Sequence, residues 1–218
     1  MDALATLHRS LLEEAVHEYQ RYLSAAAFYL EKRGIPTAVA ERYRFGVVDS
    51  PMLGHEAMIG RLCIPYLTKA GVATIKFRCI DDHHCKEVGC TKYLALPNSD
   101  RHLFNVPAFL DADEVLGIAE GELDALILTM CGIPSVGVPG ADGWTRTPHY
   151  ARAISMIAVP RVLVFTDADE AGRKLKQAIC STVPQATGVR LPEGTDVNDV
   201  FLAEGAAGLR SRAGLTGE

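Results

Sequence analysis

Three groups of acidic side chains in the second half of the chain carry the clearest chemical signal. Glu120 directly follows the apolar run VLGIA (115–119), with Gly121 behind it. Asp167 and Asp169 directly follow a second run, VLVFT (162–166), and the i,i+2 spacing of an extended segment points both carboxylates the same way. Asp196, with Asn198 and Asp199 close by, follows a later run across the turn Pro192-Glu193-Gly194. Carboxylates gathered in one place repel one another unless a divalent cation neutralises them. Hard oxygen donors select Mg²⁺ or Mn²⁺, ions that organise a triphosphate and polarise its oxygens. Taken singly, each acid could instead be a helix N-cap. Asp124, four residues after Glu120, fits a supporting carboxylate and a plain surface position equally well.

A second constellation is made of softer atoms. The segment CIDDHHCKEVGC (79–90) offers Cys79, His83, His84, Cys85 and Cys90. Three thiolates and one imidazole suit tetrahedral Zn²⁺ in a closed, structural shell. His83 is favoured over His84, which adjoins Cys85 and is poorly spaced to share a tetrahedron with it. The bland alternative is a loop of free thiols. Cys63, Cys131 and Cys180 lie in apolar surroundings and read as core residues.

These groups need elements to hold them. Leu11, Leu12, Ala15, Val16, Tyr19, Leu23, Ala26, Ala27 and Leu30 repeat with helical spacing, which predicts one helix over 7–33, stopped by Gly34. Pro36 opens a short second helix through about Tyr43. RLCIPYL, VATIKFRC and KYLAL are β-rich, with Lys69-Ala70-Gly71 as the turn between the first two, and predict a small antiparallel unit. From Glu114 onward, short apolar runs alternate with helical stretches. The runs are 115–119, 134–138, 161–166 and 186–191; the helices are 122–130, 149–156 and 170–179, with a loop before the second. That alternation predicts a parallel α/β sheet covered on both faces, and sites in such sheets form at the carboxyl ends of the strands. The boundary falls near Ala108–Asp113, giving parts 1–112 and 113–218.

Composition is that of an ordinary globular chain: 218 residues, 48% hydrophobic and 22% charged, too apolar for disorder and without a membrane-length apolar run. Acids at Asp2, Glu13 and Glu14 do not suit a signal or transit peptide, and six cysteines are too few for a disulfide scaffold of this length. A reducing, cytoplasmic setting is expected. The net charge of −5 conceals a division: −2 over residues 1–59, +3 over 60–105 and −6 over 106–218. A basic middle beside an acidic half suits carboxylates that bind metal rather than repel phosphate.

GIAEGELDAL followed by FTDADEAG resembles a Toprim domain, the metal-dependent fold of primases, topoisomerases and some nucleases. The resemblance places the family's Glu on Glu120 and its Asp-x-Asp pair on Asp167 and Asp169. LPEGTDVNDV resembles the third acidic motif of bacterial-type, DnaG-like primases, with Asp196 as its first acid and Asn198 where the second acid stands. Upstream, GRLCIPYLTKAGVATIKFR, KYLALP and HLFN resemble the N-terminal part of a primase RNA-polymerase domain. In that family basic residues on these strands contact template or nucleotide; they carry over onto Arg78 and Lys92, and less directly onto Lys76 and Arg61. The family's second lysine has no counterpart, because Asn105 stands there.

The resemblance, which runs from about 34 to 205, implies an α/β protein: a Toprim (Rossmann-like parallel sheet) domain preceded by a smaller helical and antiparallel-β subdomain. It implies metal-dependent synthesis of short RNA primers on single-stranded DNA from nucleoside triphosphates, with Mg²⁺ or Mn²⁺ on Glu120, Asp167, Asp169 and Asp196. No N-terminal zinc ribbon or helicase segment is recognisable, so a phage- or plasmid-encoded core is expected, working in the host cytoplasm with a replicative helicase or template-reading module on another chain. Two competitors share these motifs: a Toprim nuclease, and a non-catalytic clamp resembling RecR.

Overall fold

In the computed structural model, which describes residues 3–97, 99, 102–138 and 140–215, the apolar stripe at the start of the chain winds into two helices rather than one. Helix α1 (Ala3–Gln20) ends at Arg21-Tyr22, a 3₁₀ turn covers Leu23–Ala26, and α2 (Ala27–Lys32) comes next. The break has a packing cause. Gly46 passes so close to the last turn of α1 that a Cβ there would lie 2.2 Å from the Tyr19 carbonyl carbon. The stripe keeps its phase through the turn: Leu12, Ala15, Val16, Tyr19, Leu23, Ala26 and Leu30 are buried, while Leu11 and Ala27, expected on the same face, are exposed. Gly34 stops α2 as expected, at φ 67°. Its N–H donates to Glu31 O at 2.8 Å and that of Ile35 to Leu30 O at 2.9 Å, the paired bonds of a Schellman stop. Helix α3 (Thr37–Arg42) starts after Pro36.

Strands β1 (Gly46–Val47), β2 (Leu62–Thr68), β3 (Gly71–Arg78) and β4 (Tyr93–Ala95) form an antiparallel sheet in that order. Alternation divides β3 between two faces, its phase shifted once by a bulge opposite Tyr66-Leu67. Val72, Ile75 and Phe77 join Leu12, Val16, Tyr19 and Cys63 in the first core. Lys76 and Arg78 point to the other face. A polar pair is buried in this unit: Met52 N–H donates to Tyr19 Oη at 3.0 Å, and that oxygen lies 2.7 Å from His55 Nδ1.

The chain forms two compact units, Met1–Asp100 and Arg101–Glu218. The division precedes the one expected from sequence because the segment before β5 packs into the second unit. Leu103, Ala108 and Ala112 belong to the second core, and Phe104 bridges Gly137. Helix α4 (Ala108–Asp111) lies in this stretch.

The second unit is the expected parallel sheet. Strands β5 (Val115–Ala119), β6 (Ser135–Gly137), β7 (Arg161–Phe165) and β8 (Ala186–Gly188) stand in the order β6-β5-β7-β8, all parallel. Helices α5 (Glu122–Met130), α6 (Gly140–Arg146), α7 (Pro148–Met156), α8 (Glu170–Thr182) and α9 (Val197–Arg212) connect and flank them. The segment expected to be a loop before α7 is α6. It is anchored by Trp144, which is buried and donates its Nε1–H to Thr182 Oγ1 at 3.1 Å. Trp144 is therefore a core residue. Helix α9 is kinked at Gly205, where φ is 68°.

Candidate active site

The carboxyl ends of β5 and β7 are neighbours, because the two strands pair from Val115↔Arg161 to Ala119↔Phe165. Glu120 and Asp167 leave these ends side by side. Glu120 N–H donates to Phe165 O at 3.2 Å, continuing the ladder, and Asp167 N–H donates to Glu120 Oε2 at 3.2 Å. The Glu120 side chain thus accepts a hydrogen bond from the backbone of the residue whose charge opposes its own. Its carboxyl is held above the ordinary carboxylate range, first by burial and then by the negative charges of Asp167 and Asp169.

Asp169 is the N-cap of α8, its Oδ1 accepting Gly172 N–H at 2.8 Å. Asp196 caps α9 with a reciprocal box: Asp199 N–H donates to Asp196 Oδ1 at 2.8 Å, and Asp196 N–H to Asp199 Oδ2 at 3.1 Å. Capping engages one oxygen of Asp169 and one of Asp196, so both are caps as well as candidate ligands. Helix N-termini favour negative charge, which suits an acid at each of these caps.

Two contacts give the site its close-packed frame. Gly172 leaves no room for a side chain: a Cβ there would stand 2.0 Å from Asp167 O, 2.9 Å from its carbonyl carbon and 3.0 Å from its nitrogen. The Asp167–Asp169 turn is also joined to the segment before α9. Ala168 N–H donates to Thr195 O at 3.0 Å, and Gly194 N–H to Ala168 O at 3.3 Å. These bonds bring the third acidic motif to the end of β7. Asn198, at its second acid position, is 5% exposed and turned into the protein.

Sequence reading passed over Glu122, the 4%-exposed acid in the first turn of α5. Its signal was present, two residues after Glu120, but acids are common in first turns. Asn105 has a structural assignment. It adopts φ 58°, which Asn tolerates better than most residues, and its Nδ2 donates to Ser135 O at 2.8 Å.

In the first unit, the face of β3 away from α1 carries basic and aromatic side chains, most of them buried or half-buried. Arg78 is 7% exposed; its Nη1 donates to Tyr93 Oη, and its guanidinium lies 5.0 Å from the Tyr93 ring centroid and 5.6 Å from that of Tyr29. Lys76 Nζ lies 5.5 Å from the Tyr66 ring centroid and 5.8 Å from that of Tyr93. Lys92 is exposed, beside β4. Arg61 turns elsewhere, donating from Nη1 to Thr91 O at 2.7 Å.

Cys79, His83, Cys85 and Cys90 bring one ligand atom each to within 4.8 Å of one another, the one such His/Cys/Asp/Glu grouping among the described residues. Their thiols influence one another: Cys79 is pushed up to about 12, mainly by burial, and Cys90 is lowered to about 7, mainly by His83.

Residues 117–201 match the family described as Toprim-like, a span that holds Glu120, Asp167, Asp169 and Asp196. The Gene 57 protein of Mycobacterium phage D29 is 34% identical over 158 residues, covering 70% of this chain and 97% of that protein. Among solved structures, the Aquifex aeolicus primase fragment with zinc-binding and RNA polymerase domains superposes with a TM-score of 0.76 at 24% identity. The match covers 94% of this chain and 60% of that one. A DnaG primase catalytic domain bound to single-stranded DNA superposes with a TM-score of 0.76 at 22% identity, over 94% of this chain and 77% of that one.

Proposed function

We propose that this chain, which belongs to the family of the phage D29 Gene 57 protein and is a DnaG-like, Toprim-bearing protein of primase type, synthesises short RNA primers on single-stranded DNA by metal-dependent nucleotidyl transfer. One observation carries the reading. Glu120 and Asp167 leave adjoining strand ends of a Toprim-like domain side by side, joined by Asp167 N–H on Glu120 Oε2, with Asp169 two residues further on. Neighbouring carboxylates at strand ends fit a divalent cation, and the all-oxygen donor set fits Mg²⁺ or Mn²⁺. Asp167, Asp169 and Asp196 would hold it. When bound, it supplies charge neutralisation on the triphosphate.

The remaining work falls to the chain's own groups. Glu120 stands at the nucleophile side, as a further ligand or as the base for the primer 3′-hydroxyl. Lys76 and Lys92 supply positive charge for template and nucleotide phosphates, Arg78 adds its charge from a buried position against Tyr93, and the half-buried Tyr93 supplies a flat apolar face beside them. Phosphoryl transfer depends mostly on positioning and electrostatics, which these groups provide. The partners in this reading are a single-stranded DNA template, nucleoside triphosphates, and a replicative helicase or template-reading module on a separate chain.

The test is nucleotide incorporation on single-stranded DNA with Mg²⁺ or Mn²⁺. Asp169→Asn should remove incorporation while the amide oxygen preserves the α8 cap, so the protein melts like the parent. Full incorporation by Asp169→Asn, or hydrolysis of DNA without incorporation by the parent, overturns the proposal.

A further inference from the structure

The Cys/His grouping takes no part in that chemistry, and it sits on a segment that little else orders. Residues 79–92 connect β3 to β4. From Asp81 to Gly89 every side chain is exposed except the half-buried Cys85, and Val88 is 60% exposed. Turns shape the loop: Glu87 N–H donates to His84 O at 2.9 Å, Cys90 N–H to Cys85 O at 2.8 Å, and Gly89 takes φ 69°. The ion pair Lys32–Asp82, 3.1 Å long, is exposed at both ends and worth little. Fixing a backbone costs conformational entropy at every residue, and this loop buries too little apolar surface to offset that. Yet four donor atoms converge in it.

We infer that Cys79, His83, Cys85 and Cys90 bind one structural Zn²⁺ that fixes the β3–β4 connection, with Arg61 as the positioning residue that neutralises the site's residual charge. The geometry has the right scale. Zinc–sulfur and zinc–nitrogen bonds at tetrahedral angles put two sulfurs about 3.8 Å apart and a sulfur and a nitrogen about 3.6 Å apart. Cys79 Sγ and His83 Nε2 stand 3.5 Å apart, and all four atoms lie within 4.8 Å of one another. His84 is outside the grouping. Three thiolates, one neutral imidazole and Zn²⁺ leave a single negative charge. Arg61 Nη2 lies 3.7 Å from Cys90 Sγ while its Nη1 holds Thr91 O, so the guanidinium both compensates that charge and ties the loop to the start of β2.

Four protein ligands leave no open position, so the ion holds structure and does not activate water. Soft thiolates and hard carboxylates also choose different metals, so the zinc site and the Glu120–Asp167–Asp169 site do not compete for one ion. The zinc would brace the segment between Arg78, which adjoins Cys79, and Lys92, whose carbonyl accepts Cys79 N–H at 2.9 Å. That last consequence, for template binding, rests on the primer-synthesis reading; the metal assignment does not.

The experiment uses the full chain purified without a histidine tag. Elemental analysis should find about one zinc per chain, and Co²⁺ in its place should give the near-ultraviolet band of thiolate-to-metal charge transfer. His84→Ala and His83→Cys should keep the zinc, Cys85→Ser should lose it, and Arg61→Ala should keep it with affinity about 10- to 100-fold weaker against a competing chelator. Zinc-free parent protein that gives no charge-transfer band with Co²⁺ overturns the site, as does a disulfide between two of the three cysteines. Loss of zinc in His84→Ala but not in His83→Ala overturns the ligand set. One zinc per chain without nucleotide incorporation overturns primer synthesis and leaves the metal site standing; incorporation by a chain that cannot bind zinc does the reverse.

Discussion

Replacing Glu120 by Gln should make the metal-free protein more stable, not less. The side chain sits half-buried beside Asp167 and Asp169, and its net shift is upward even with Asp167 N–H donating to it. An amide of the same shape keeps an oxygen to accept that bond and removes the charge that burial and both aspartates oppose. Removing an unfavourable charge from such a site typically gains about 1 kcal/mol, worth about 2–4 °C of melting temperature in a chain of this size. The sign comes from linkage. A carboxyl whose folded pKa is raised contributes stability fully below its ordinary value of 4.5 and loses it as pH rises through the folded pKa. Parent and variant should therefore melt together near pH 4, and the variant should gain progressively as pH rises above that. Thermal unfolding in chelator across pH 4–8 reads this directly. Adding Mg²⁺ should then raise the parent more than the variant, because the repulsion is what the ion relieves. A variant that melts below the parent at pH 7.5 in chelator, or a gap that does not change with pH, would refute the electrostatic account of the site.

Two other contacts carry expectations of their own. Gly172→Ala should cost about 1–3 kcal/mol, since its Cβ meets the Asp167 backbone and not a movable side chain; equal melting of variant and parent would show that the turn has slack. Lys92→Ala should weaken single-stranded DNA binding and lower the salt slope of log K by about 0.7, as one phosphate contact is lost; an unchanged slope would place the DNA path elsewhere.

The sheet that presents the acids was legible because its strands are apolar runs ending at Glu120 and Asp167, and burial on both faces requires such runs. The break at Tyr22 was not legible, since the stripe keeps helical spacing on both sides of it. Its cause, the approach of Gly46 to Tyr19, joins residues far apart in sequence. Helix α6 was obscured by its own composition, GADGWTR, whose glycines are poor helix formers; Trp144, packed into the core and bonded to Thr182, overrides that propensity. The unit boundary moved for a similar reason: Leu103 and Phe104 lie in an unpatterned stretch and are assigned by what they touch. At the site, residue types and order could be read directly. The capping roles of Asp169 and Asp196 and the burial of Asn198 could not, because both depend on how each helix begins.

Ala168, the residue between the two aspartates, has a side chain that can do no chemistry, yet its peptide groups determine how the site moves. Its N–H and its C=O are both taken by the 194–195 turn, at 3.0 Å and 3.3 Å. The Asp167–Asp169 turn therefore cannot swing out without breaking both bonds, and the turn before α9 cannot lift without the same loss. Two loops with the whole of α8 and β8 between them should therefore open together, as one unit. An ion that gripped either side would stiffen both.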